Sequence, residues 1–207
     1  MKKNKISKNW IYKQKKDIYV KDSKKLGYRS RSAFKLIEID KKFRFLSNAK
    51  LFLDLGSTPW GWSQFASKQI KNGKILSVDT REMLPIDNTT FLKGDFTNLE
   101  TQNNIINFFG KKIDVVASDM AANTTGNKEL DSIRTGNLCL NALEFSSKLL
   151  NYKGVFISKI FMGSVFKEIQ INAKKFFKEV LIFKPKSSRK ESKEVYIFCK
   201  YLWDLND

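Results

Sequence analysis

At 207 residues and 42% hydrophobic content, the chain has room for one α/β domain with a full core and little else. No apolar run reaches the length of a membrane span, and the lysine-rich start lacks the hydrophobic stretch of a signal peptide. Histidine is absent, which excludes histidine-dependent triads and histidine metal sites and leaves acid–base work to Lys, Asp, Glu or Tyr.

The net charge of +18 is crowded at the N-terminus, where residues 1–35 hold 13 Lys/Arg against Asp17 and Asp22 alone. Codon bias explains lysine over arginine, but neither the excess of basic over acidic residues nor this crowding. A polyanion is the natural partner, and nucleic acid fits better than a membrane surface because the basic stretch shows no clear amphipathic period. Residues 1–27 read as an irregular or weakly helical basic arm, with Trp10, Tyr12 and Tyr19 placed either to stack on bases or to dock the arm on the body. The remainder, 28–207, reads as a single domain. Cys139 and Cys199 lack metal-ligand spacing and read as buried thiols of a reducing compartment, so a cytoplasmic protein without a metal site is expected.

Ser30 or Ser32 is positioned to cap a helix over Ala33–Phe43, with Phe34, Ile37 and Phe43 on one face. Strands and helices then alternate: strand 50–55, helix 61–71, strands 74–79 and 90–93, helix 98–109 and strand 113–118. A loop near 120–130, helix 131–150, strand 154–160, helix 164–176 and strand 178–184 follow. The polar loop Lys186–Lys193 leads into a last apolar run, Glu194–Tyr201, which predicts an antiparallel hairpin closing the sheet. This alternation predicts a doubly wound α/β fold, a mostly parallel sheet with an antiparallel last strand.

Leu51–Leu55 runs through Asp54 into Gly56-Ser57-Thr58-Pro59-Trp60-Gly61, a strand, a tight turn and the start of a helix. The glycine spacing lacks the second glycine of a dinucleotide fingerprint, and no Gly-Lys-Ser/Thr follows for a phosphate loop. Asp54 beside the turn would repel a pyrophosphate but suits a cation. Asp79 ends the next strand, where a carboxylate accepts ribose hydroxyls, and Asp95 follows the third. The pattern resembles the first motif of class I methyltransferases and points to S-adenosylmethionine. Asp119 and Lys159 end two further apolar strands, Glu194 opens the last, and Lys35 lies in the first helix. Each alone fits a turn cap or a snorkelling side chain. Strand ends at a switch point converge in space, which makes the group a candidate site.

The chain resembles the FtsJ-type (RrmJ) family of ribosomal RNA 2′-O-methyltransferases. The matching segments are Arg29–Leu36, Asp54-Leu55-Gly56 with Gly61-Trp62-Ser63-Gln64, Gly94-Asp95-Phe96, Ser118–Ala121 with Asn123, and Lys159-Ile160-Phe161. Lys184-Pro185, Ser187-Ser188-Arg189 and Glu194-Val195-Tyr196 complete a match from about residue 27 to 201. The resemblance implies a Rossmann-like class I methyltransferase domain with a catalytic tetrad of Lys35, Asp119, Lys159 and Glu194. It implies S-adenosylmethionine contacts from Gly56, Trp60, Trp62, Asp79, Asp95 and Asp119. Its implied substrate is a uridine of 23S ribosomal RNA in the large subunit, met by a monomer with no membrane partner. Arg29, Arg31 and the 186–193 loop are then expected to hold RNA phosphates. Transfer RNA methylation and a catalytically weak, RNA-binding assembly factor remain as alternatives; a small-molecule methyltransferase fits the basic arm poorly. Two departures stand out: Trp60 replaces a glycine of the family's Pro-Gly-Gly-Trp, and Ala122 replaces a proline before Asn123. Lys159 has two readings, a neutral amine that takes the 2′-OH proton or an ammonium that stabilises alkoxide beside Asp119 as base.

Overall fold

Strand β1 (Leu51–Leu55) is buried along its whole length and sits inside a seven-stranded sheet. The computed structural model describes residues 16–122 and 125–203, so Trp10, Tyr12 and Asn123 lie outside the described residues. The other strands are β2 (Lys74–Asp79), β3 (Thr89–Lys93), β4 (Ile113–Ser118), β5 (Leu150–Phe161), β6 (Phe177–Phe183) and β7 (Glu194–Leu202), in the order β3-β2-β1-β4-β5-β7-β6. Strands β1 to β5 pair in parallel, and β7 runs antiparallel to both β5 and β6. The hairpin therefore inserts its second strand beside β5 and leaves β6 at the edge. The chain steps outward through β1, β2 and β3, then returns to place β4 on the other side of β1. That reversal opens a crevice at the carboxyl ends of β1, β2 and β4.

The side-chain period of two divides β1 between the two faces. Leu51, Leu53 and Leu55 join one core with Leu76, Val116 and Phe156, under α4 (Leu99–Phe109), α5 (Lys128–Leu149) and α6 (Phe166–Phe176). Phe52 joins the other with Ile75, Val115, Tyr196 and Phe198, under α2 (Ala33–Phe43) and α3 (Gly61–Gln69). The fully buried stripe of α2 is Ala33, Leu36 and Ile39. Phe34 and Phe43, expected to share one face with Ile37, are not part of it. Phe43 stacks on Phe198 at 4.0 Å, and Phe34 meets Tyr19 and Tyr28.

A short helix, α1 (Ile18–Lys25), occupies the end of the stretch read as a basic arm, with Asp17 accepting from the Tyr19 amide at 3.1 Å as its N-cap. Ser32 takes the N-cap position of α2 but makes no side-chain cap bond; its amide donates to Ser30 Oγ at 2.9 Å. Helix α5 starts at Lys128, three residues earlier than its apolar pattern indicates, because Asn127 Oδ1 caps the amides of Glu129 and Leu130. No helix of the described residues is long and apolar enough to cross a membrane.

Candidate active site

The turn after β1 is held by its neighbours. Gly56 has φ +71°, and its amide and that of Ser57 both donate to Val78 O, at 2.9 and 3.1 Å. A Cβ added at Gly56 would meet Met120 Cγ at 2.1 Å, so glycine is required by space as well as by conformation. Asp79 accepts the Thr58 amide on Oδ2 and the Arg81 amide on Oδ1, each at 2.9 Å. Those bonds fix the carboxylate at the end of β2 while leaving each oxygen a second lone pair for a ligand hydroxyl.

A cavity of about 760 Å³ opens here, lined by Gly56, Thr58, Asp79, Asp95, Asp119 and Met120, and by Arg134 and Asn137 from α5. Asp95 Oδ1 accepts from the amide and hydroxyl of Thr97, which orients it at the start of its loop. Trp62 lies behind this wall. Its indole is buried against Tyr196, and its Nε1 donates to Ser32 O at 2.9 Å. Trp60 is also absent from the lining: with φ +73° it caps α3 beneath the Arg29 guanidinium, 5.4 Å from the ring centre. Asp54 does not reach the cavity either. It is fully buried on the α3 side, where Ser63 Oγ donates to Oδ2 at 2.5 Å and Oδ1 has no partner. Burial, offset in part by that bond, pushes its carboxyl up to about 7.

Lys35, Asp119, Lys159 and Glu194 come together as a cluster. Lys159 does not end a strand; it lies within β5, directly opposite Tyr196 of β7. Opposite residues share a face, and so do residues two apart, so Lys159, Tyr196 and Glu194 all point toward α2. Lys35 of α2 meets them there, its Nζ donating to Glu194 Oε2 at 2.8 Å and lying 3.8 Å from Asp119 Oδ1. Lys159 Nζ donates to Asp119 O at 2.5 Å and lies 3.2 Å from Asp119 Oδ1. Tyr196 OH donates to the same Oδ1 at 2.6 Å, and Ser188 Oγ donates to Glu194 Oε1 at 2.7 Å. Burial raises the Asp119 carboxyl, but the charges of Lys159 and Lys35, with the Tyr196 bond, outweigh it and hold the group below its ordinary value.

A second cavity, about 510 Å³, lies on the other side, lined by Ser30, Arg31, Lys35, Pro59, Arg189 and Glu194 among others. The cluster thus divides two spaces: Asp119 faces the first, Lys35 and Glu194 the second. Such a partition suits a transfer between two ligands. Arg29, expected to meet phosphate, is instead engaged with protein: Nη1 donates to Leu84 O and Nη2 to Pro85 O, both at 2.7 Å. The roles of Tyr196 and Ser188 within the cluster were not read from the sequence, although the two-residue spacing of Glu194 and Tyr196 in an alternating strand was the signal for the first. Among the described residues, no group of three or more His, Cys, Asp or Glu is arranged to hold a metal ion.

Residues 28–202 match the family model described as FtsJ-like methyltransferase. A Pelagibacter ubique protein named ribosomal RNA large subunit methyltransferase E is 56% identical over 202 residues, covering 98% of this chain and 100% of that protein. A Rickettsia akari protein of the same name is 46% identical, covering 91% of this chain and 86% of its own length. Among solved structures, a Plasmodium falciparum protein described as a ribosomal RNA methyltransferase superposes with a TM-score of 0.75 at 33% identity, covering 84% of this chain and 98% of that one.

Proposed function

The chain belongs to the FtsJ-like methyltransferase family, and from that premise we propose that it moves a methyl group from S-adenosylmethionine to a ribose 2′-oxygen of RNA. The substrate in this reading is a uridine of 23S ribosomal RNA in the large subunit, and the compartment is the cytoplasm. The observation that carries it is the cluster of Lys35, Asp119, Lys159 and Glu194, of which Asp119 lines the first cavity and Lys35 and Glu194 the second. The names of the relatives support ribosomal RNA over other acceptors.

The donor set of the first cavity fits S-adenosylmethionine. Asp79 offers a fixed carboxylate for ribose hydroxyls, and Asp95 suits an adenine amino group; Asp119 adds a third carboxylate to a lining that also carries Arg81 and Arg134. Gly56, held free of a Cβ by Met120, gives a ligand access to the backbone. Once bound, this cofactor supplies an electrophilic methyl group on a sulfonium. The protein's part is to align the acceptor and strip its proton.

Asp119 is a poor base, since its carboxylate is stabilised by two lysines and a tyrosine. Its use is to hold Lys159. Lys159 Nζ donates to Asp119 O and lies 3.2 Å from its Oδ1, which fixes the position of the nitrogen. The charged lysine is what stabilises Asp119; only its deprotonated form carries a lone pair, and in that form Nζ receives the 2′-hydroxyl proton as the oxygen attacks. Lys35 and Glu194, facing the second cavity, position the ribose. Trp62 serves by fixing Tyr196 and the start of α2 rather than by touching ligand.

The test is transfer of labelled methyl from S-adenosylmethionine to large-subunit particles that lack ribose methylation, followed by nucleoside analysis. Label in 2′-O-methyluridine is expected. Label confined to transfer RNA, to a methylated base, or to no nucleoside would overturn the assignment.

A further inference from the structure

Arg31 and Arg189 line the second cavity beside Lys35, yet in the free protein both guanidinium groups face one carboxylate, Asp17. Asp17 Oδ2 pairs with Arg31 Nη1 and lies 3.7 Å from Arg189 Nε, while its Oδ1 caps α1. The arginines are also held by elements outside this helix. Glu38 of α2 accepts the amides of Lys186 and Ser187, at 2.5 and 3.0 Å, which pins the loop that carries Arg189. Arg31 Nη2 donates to Ser187 O in that same loop. The pair is therefore tied together by the loop that α2 anchors, while Arg31 also lies over the Tyr19 ring of α1, 5.7 Å from its centre. Helix α1, by contrast, lies at the surface: Ser23 is its only buried residue, Ile18 is 62% exposed, and its Tyr19 rests on Phe34.

We propose that Asp17 is an internal mimic of an RNA phosphodiester: it occupies Arg31 and Arg189, groups already expected to hold RNA phosphates, until RNA displaces α1. This rests on the RNA reading above. Guanidinium forks suit phosphate oxygens as well as carboxylates, and the exchange replaces one anion by another without stranding either arginine. Asp17 then acts as a competitor that lowers affinity by the fraction of molecules in which the arginines are open.

The experiment compares full-length Asp17→Asn with Asp22→Asn, which removes the same charge from α1 away from the arginines. Asparagine still caps a helix, so the change at position 17 removes the ion pairs and spares α1. Each protein is titrated with a short single-stranded RNA, and hydrogen exchange of α1 amides is followed in the wild type with and without that RNA. An open fraction of about one in ten makes Asp17→Asn bind about tenfold tighter than Asp22→Asn. The wild-type α1 amides should lose protection when RNA binds. RNA binding with α1 still protected, or equal affinity of the two variants, would reduce the Asp17 contacts to a structural strap and overturn the proposal alone. No RNA binding by the wild type would overturn the RNA reading with it.

Discussion

Replacing Asp54 with asparagine removes the charge of a fully buried carboxyl while keeping its shape. Burial, opposed in part by the Ser63 bond, raises the folded-state pKa from an ordinary 3.8 to about 7. An unfolded chain therefore releases this proton near pH 4, whereas the folded protein keeps it to about neutrality. Between those limits unfolding releases a proton, so stability falls as pH rises and levels off above the folded value. At about 1.4 kcal/mol per unit, the full deficit is about 4 kcal/mol, of which about 2–3 kcal/mol develops between about pH 5 and pH 8. The variant's amide cannot ionise and escapes the deficit. Urea unfolding of both proteins across this range should show the variant gaining on the wild type by that amount as pH rises, in the absence of cofactor. Parallel stability curves would mean that Asp54 is ionised at no cost, and that its buried, half-satisfied environment is wrongly described.

Gly56→Ala should weaken S-adenosylmethionine binding sharply, because its Cβ would meet Met120 Cγ at 2.1 Å, and should lower stability by about 1–2 kcal/mol from the left-handed backbone alone; calorimetry and thermal melting check both. Trp60→Gly relieves a non-glycine residue at φ +73° but loses the stacking of Arg29 on the ring, so melting should change little while methyl transfer is retained. Loss of transfer in that variant would show that the indole has a role beyond capping α3. Tyr196→Phe deletes the donor at 2.6 Å to Asp119 and so raises that carboxyl toward its ordinary value; the acid limb of the kcat profile should move to higher pH, while a profile that stays in place refutes the coupling.

The order of strands and helices was legible because buried parallel strands read as unbroken apolar runs, and β1, β2 and β4 each end on a turn or a carboxylate. Strand bounds came close for the same reason except at β5, which begins at Leu150 rather than at 154. The start of α5 was read late because apolar spacing begins only after its polar first turn, although Asn127 followed by Glu129 and Asp131 carried a capping signal. The convergence of Lys35, Asp119, Lys159 and Glu194 was visible in the sequence as charged residues in otherwise apolar settings. What it did not reveal was the division of labour around them. Asp54 and Trp62 belong to strongly patterned motifs, yet both turn into the core, a matter of which face of β1 and α3 each occupies. Arg29 and Arg31 look alike in sequence, but one is spent on carbonyls of a loop and the other on Asp17. Such choices depend on contacts 14 residues apart for Arg31 and 55 for Arg29, which local pattern does not encode.

The most direct test of the account is a comparison of wild type and Lys159→Ala under saturating S-adenosylmethionine and large-subunit particles, with cofactor binding measured separately. The account predicts cofactor affinity close to wild type, since the first cavity is lined by Asp119 rather than Lys159, together with loss of label from 2′-O-methyluridine. Turnover that survives the substitution, with the label at the same nucleotide, would contradict it.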